Sequence, residues 1–230
     1  MKPLSECRLY TFVDTACLHS RTPPEVAQQL CDGGSDLIQL RAKNSSPDEI
    51  RRMAETIFPI TAKAGVWLVI NDHPQIAAEV GAAFCHLGQE DFFDPGYAHV
   101  SQLPNAGPSV KIGLSTHAPV QAKRAIAAGA EYIAIGPVYA TATKPAARPV
   151  TLDYVRWATA GVKIPWFAIG GINLDNLDDV LGRRPPGLRC FGDFKCARHR
   201  RGLPEIQEPH TFRTALNGTT ALRRPNPLTM

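Results

Sequence analysis

Between residues 9 and 181, short β-branched apolar runs alternate with longer stretches of helical periodicity, and this rhythm restricts the fold more than any other feature. The strand candidates are Leu9–Val13, Leu37–Arg41, Val66–Asn71, Phe84–Leu87, Lys111–Ser115, Tyr132–Pro137 and Trp166–Gly170. Most are nearly continuous apolar runs, as suits parallel strands covered on both faces. Helix candidates lie between them: Pro23–Cys31, Pro47–Ala64, Ala118–Ala128, Leu152–Ala158 and Leu174–Leu181. Thr22 and Ser46 stand directly before prolines, which is a helix-start signal.

The βαβα order argues for a parallel sheet. A chain of 230 residues, 44% of them apolar, can bury one large core. The expected fold is a single-domain α/β structure, a TIM-type (β/α)8 barrel over residues 1–182. Seven strands can be counted where such a barrel has eight. After Gly182 the rhythm stops. Residues 183–230 contain six prolines, ten Lys/Arg and three Asp/Glu, so the net charge of +4 comes from this tail while residues 1–182 sum to −3. The expectation is a divergent, basic, Pro/Arg-rich tail, with the eighth strand and last helix missing or replaced and the edges of the first and seventh strands unpaired. Arg/Pro enrichment is also what GC-rich DNA gives when read out of frame. Codons compatible with Gly187 to Glu208, moved forward by one base, can encode an apolar strand with a Val-Val-Ser turn followed by an amphipathic helix.

Polar residues gather where strands end. Charge is unwelcome on either face of a barrel strand, so polar groups at the carboxyl ends face the mouth. Gln39, Arg41 and Lys43 alternate and share one face. Two cations there suit an anionic substrate such as a phosphate. The third strand ends in Asn71-Asp72, and the fourth runs on through His86 to Gln89-Glu90-Asp91. Asp72 and Asp91 on adjacent strand ends offer hard oxygen ligands for Mg²⁺, although Asp72 could instead cap the helix after it. Ser115 ends the fifth strand, and Thr141, Thr143 and Lys144 follow the sixth as a possible grip on phosphate. Gly170-Gly171 precedes a helix, where backbone N–H groups can meet an anion or simply form a tight turn. His117 reads best as a loop histidine, and His73, His86 and His99, lacking metal-ligand spacing, read as structural.

Taken in order, Ile38–Lys43, Leu68–Asp72, His86–Asp91, Ile112–His117, Tyr132–Lys144 and Ala168–Ile172 resemble the thiamine-phosphate synthases. The resemblance spans roughly residues 8–181. It implies a transferase of thiamine biosynthesis that joins 4-amino-5-hydroxymethyl-2-methylpyrimidine diphosphate to hydroxyethylthiazole phosphate and releases diphosphate. It implies that Asp72 and Asp91 hold Mg²⁺, and that Arg41, Lys43, Asn71 and Lys144 bind the diphosphate. It also implies Gln39 and Ser115 at the pyrimidine, and Thr141, Thr143 and the backbone of Gly171 at the thiazole phosphate. Arg41, Lys43, Ser115 and Lys144 are the expected catalytic residues. The family's eighth-strand turn has no counterpart at 183–230.

Two other readings compete: a thiazole tautomerase-like paralogue, and a catalytically impaired phosphate-binding barrel. The first has no need of the Arg41, Lys43, Asp72 and Asp91 set. Nucleic-acid binding would rest on the tail, which lacks interleaved aromatics. No apolar run reaches the roughly 20 residues of a membrane span, and Met1–Glu6 is unlike a signal peptide. The six cysteines form no CxxC pair, so the expected setting is the reducing cytoplasm, while the resemblance implies small-molecule partners.

Overall fold

The computed structural model describes residues 1–141, 148–173, 175–182 and 190–191. Eight parallel strands close into a barrel in sequence order: β1 (Leu9–Asp14), β2 (Leu37–Arg41), β3 (Trp67–Asn71), β4 (Phe84–Leu87), β5 (Lys111–Thr116), β6 (Tyr132–Ile135), β7 (Trp166–Ala168) and β8 (Cys190–Phe191). The helices are α1 (Pro23–Asp32), α2 (Pro47–Ala64), α3 (Pro74–Val80), α4 (Gln89–Phe93), α5 (Pro119–Ala127), α6 (Thr151–Gly161) and α7 (Leu177–Leu181).

Two findings differ from the sequence reading. The expected open edges on β1 and β7 are paired, because Cys190 meets Leu9 and Ala168 while Phe191 meets Tyr10. This β8 is two residues long among the described residues, too short to carry a periodic pattern. Helix α4, with five residues, is likewise too short to carry a periodic pattern, whereas α3, with seven, is the helix expected after Asp72. The rest of the divergent tail, and with it the out-of-frame reading, lies outside the described residues.

Alternation along each strand builds two cores. Side chains facing into the barrel include Tyr10, Leu37, Val69, Phe84, Tyr132 and Phe167, which pack together on the axis. Their neighbours Leu9, Ile38, Leu68, Cys85, Ile133 and Ala168 face the helices. Gly113 makes the inner packing possible. A Cβ there would stand 2.1 Å from Cζ of Tyr132, so the tyrosine ring occupies the space a side chain on β5 would fill. Capping fixes the helix entries. In α1 and α2 the side chains of Thr22 and Ser46 accept from the backbone of Glu25 and Glu49, whose carboxylates reach back to the cap.

Candidate active site

Continuing the alternation upward brings Gln39 and Arg41 of β2, Asn71 of β3, His86 of β4 and Ser115 of β5 to the carboxyl ends of the strands. There they line an open cavity. Lys43, Asp72, Asp91 and Thr141 line it from the loops and helix above. Eight of the residues singled out from sequence therefore converge on one space. Gly171 stands beside the lining residue Gly170. Thr143 and Lys144 lie outside the described residues.

Arg41 and Lys43 are already paired. Arg41 Nη1 donates to Asp14 Oδ2 at 2.8 Å, and Asp14 is only 5% exposed. Asp14 also accepts from the Ala16 N–H at 3.0 Å, so β1 holds the guanidinium's partner rigidly. Sequence reading passed over Asp14. Its signal was a carboxylate at the end of a strand candidate, the same signal that marked Asp72. Lys43 Nζ pairs with Asp72 Oδ2, which also accepts from Asn71 Nδ2 at 2.6 Å.

Asp72 does not cap α3. The cap position is His73, which makes no side-chain cap bond. Instead Asp72 has a φ of +63°, a left-handed conformation that a non-glycine residue adopts at a cost. Its backbone N–H donates to the His86 carbonyl at 2.9 Å, tying the loop to β4.

Asp91 sits on a helix and not on a strand end. Gly88 ends the strand and caps α4, and Asp91 Oδ2 accepts from the Gly88 N–H at 3.1 Å. A Cβ at Gly88 would lie 2.6 Å from that oxygen, so a larger residue there would push the Asp91 carboxylate aside. The turn still leaves Asp91 at the same cavity as Asp72.

His86 is more than structural filling. Its Nε2 is 2.9 Å from Ser115 Oγ and its Nδ1 is 3.1 Å from Tyr132 Oη. Tyr132 Oη is 2.9 Å from Tyr10 Oη, which accepts from Gln39 Nε2 at 2.7 Å. A polar chain thus crosses the barrel beneath the cavity floor. Burial pushes the phenols of Tyr10 and Tyr132 well up, so both keep their protons. Burial, reinforced by the Asp72 carboxylate, also pushes the Cys85 thiol up, which removes it as a nucleophile. His117 Nδ1 bonds the Gly136 carbonyl, and the residue also lines the cavity.

At the far wall Gly170 and Gly171 have φ of +94° and +65°. Side chains there would strike Pro137 and the Ala140 carbonyl at 2.4 and 2.6 Å. Both demands select glycine and bring bare backbone close to the cavity.

The family model described as thiamine monophosphate synthase matches residues 9–185. A thiamine-phosphate synthase of Lawsonia intracellularis is 40% identical over 183 residues, spanning 79% of this chain and 81% of the relative. One of Shouchella clausii is 37% identical over 199 residues, spanning 86% of this chain and 91% of the relative. A solved thiamine phosphate pyrophosphorylase from Pyrococcus furiosus superposes with a TM-score of 0.68 at 28% identity. It covers 82% of this chain and 87% of its own.

Proposed function

The chain belongs to the thiamine monophosphate synthase family, and from that premise we propose that it couples 4-amino-5-hydroxymethyl-2-methylpyrimidine diphosphate to hydroxyethylthiazole phosphate. The observation that carries the reading is the gathering of Arg41, Lys43, Asn71, Asp72, Asp91 and Ser115 around one cavity at the strand ends. A tautomerase-like paralogue has no use for two cations facing two carboxylates.

In this reaction the C–O bond between the pyrimidine methylene and the diphosphate breaks, and the thiazole nitrogen forms the new C–N bond to the same carbon. The electron pair leaves on diphosphate, and the amino-substituted ring delocalises the positive charge. No protein nucleophile is needed, and the protein's work is positioning and charge stabilisation. Arg41, held by Asp14, and Lys43 oppose the negative charge that grows on the leaving group, joined by Asn71 and Lys144. Gln39 and Ser115 hold the pyrimidine. Thr141, Thr143 and the Gly171 backbone receive the thiazole phosphate.

The residues also fit Mg²⁺. Asp72 and Asp91 face one cavity, and each uses only its Oδ2 in hydrogen bonds among the described residues. Each therefore keeps Oδ1 for a hard cation. Among the described residues no third His, Cys, Asp or Glu joins them, so diphosphate and water oxygens would complete the shell. Bound there, the ion would neutralise diphosphate charge as the C–O bond lengthens.

The test is turnover by the full chain with both substrates and Mg²⁺, following thiamine phosphate and diphosphate together. Equimolar appearance of the two, abolished by EDTA, is expected. Full turnover in excess EDTA would overturn the metal assignment, and no coupling in either the chain as written or one carrying a family-type eighth strand would overturn the function.

A further inference from the structure

The chain of hydrogen bonds under the cavity starts from a fixed donor. Gln39 presents Nε2 to Tyr10, and an amide nitrogen only donates. Tyr10 Oη accepts that bond and stands 2.9 Å from Tyr132 Oη, a pair in which either hydroxyl can donate. With Tyr10 as the donor to Tyr132, the Tyr132 hydroxyl is left to donate to His86 Nδ1 at 3.1 Å. An imidazole accepting at Nδ1 carries its proton on Nε2, which faces Ser115 Oγ at 2.9 Å. Ser115 thereby accepts from His86, and its own hydroxyl proton is left for the cavity it lines.

The linkage is built into the barrel. Tyr10 and Tyr132 are fully buried and Gln39 is 2% exposed, so water does not compete along the chain. Tyr132 reaches its place only because Gly113 has no side chain, since a Cβ there would stand 2.5 Å from the tyrosine oxygen. His86 and Tyr132 also stack, with ring centroids 5.6 Å apart and planes inclined by 25°, which fixes the imidazole's orientation.

We propose that Tyr132 is a positioning residue. By donating to His86 it sets the imidazole tautomer, and through it presents Ser115 as a hydrogen-bond donor to an acceptor atom of the pyrimidine substrate. Tyr10 is the preceding link. The kinetic part rests on the coupling reaction proposed above, whereas the tautomer can be read without any substrate.

Nitrogen-15 spectra of the imidazoles, with His86 assigned by its loss in His86→Gln, test the first part on the full chain. Wild type is expected to show His86 protonated at Nε2 and bare at Nδ1. Tyr132→Phe is expected to give a mixture of tautomers, and Tyr10→Phe the same change in smaller degree. A proton on Nδ1 in the wild type, or an unaltered His86 in Tyr132→Phe, would overturn the proposal.

Kinetics test the second part. Tyr132→Phe is expected to lower kcat about tenfold, the worth of one well-placed hydrogen bond. Combined with Ser115→Ala, the two losses should not multiply, because both act through the same hydroxyl. A purely structural tyrosine would give losses that multiply, and that result would overturn the assignment. Absence of coupling in the wild type would defeat the functional reading instead, leaving the imidazole spectra to decide the proposal.

Discussion

Arg41 and Asp14 show why a charged residue at the mouth is held before substrate arrives. An unpaired guanidinium would sample many rotamers, and the Asp14 carboxylate restricts it through a 2.8 Å bond. Arg41→Ala should therefore lower kcat by roughly 100-fold or more, because the charge it opposes grows in the transition state. Lys144→Ala should also act on kcat, and a change confined to the KM of the thiazole substrate would contradict its role at the diphosphate. The polar residues at strand ends were legible in the sequence because a barrel gives charge few other places to go. Two details were not. The sequence alone puts Asp91 on an extended strand end, because nothing in Gln89-Glu90-Asp91 shows that Gly88 starts a helix. The linkage of His86 to Ser115 depends on ring orientation across three strands, and no local spacing encodes that.

The elements owe their legibility to length and capping. Helix α2, with Ser46 and Glu49 closing its first turn, runs over the range its sequence predicts. Ser46→Ala should cost about 1 kcal/mol of stability, visible as a lower urea midpoint with an unchanged slope. An unchanged midpoint would mean that the cap contributes nothing. Helix α4 spans fewer than two turns, too short for periodicity to separate it from loop. In β8 the sequence offers Cys190-Phe191 flanked by Arg189 and Gly192, which resembles no strand pattern, and only pairing with β1 and β7 reveals it. Gly113 belongs to this scale as well. Gly113→Ala should destabilise the barrel by about 2 kcal/mol or more through overpacking against Tyr132, lowering Tm. A wild-type Tm would show that the ring has room to retreat.

At the scale of the whole molecule, buried tyrosines tie stability to alkaline pH. Burial pushes the Tyr154 phenol from its ordinary 10.0 up to about 12, outweighing its bond with Thr116, and raises Tyr10 and Tyr132 too. The unfolded chain loses these protons first, so it binds fewer than the folded chain above pH 10. The stabilisation is whole below about pH 10 and falls as pH climbs toward 12. Denaturation midpoints should decline across that window, and Tyr154→Phe should lessen the slope.

The tail is the other property of the whole chain. The family match ends at residue 185, close to where the βα rhythm stops. We propose that the reading frame changes near there, which the coding DNA around codons 178–188 would test directly. Restoring the frame would replace Cys190-Phe191 by Val-Ser within the Val-Val-Ser turn. The restored chain should be more soluble and turn over faster, and equal solubility and turnover would sink the idea.

The central claim is that the cavity bounded by Asp72 and Asp91 carries out the coupling. The direct measurement is the rate of thiamine phosphate formation by Asp91→Ala against wild type, at equal folded fraction and saturating Mg²⁺. A fall of roughly 100-fold or more with an unaltered circular dichroism spectrum is the predicted result. A variant that couples its substrates at the wild-type rate would contradict the account.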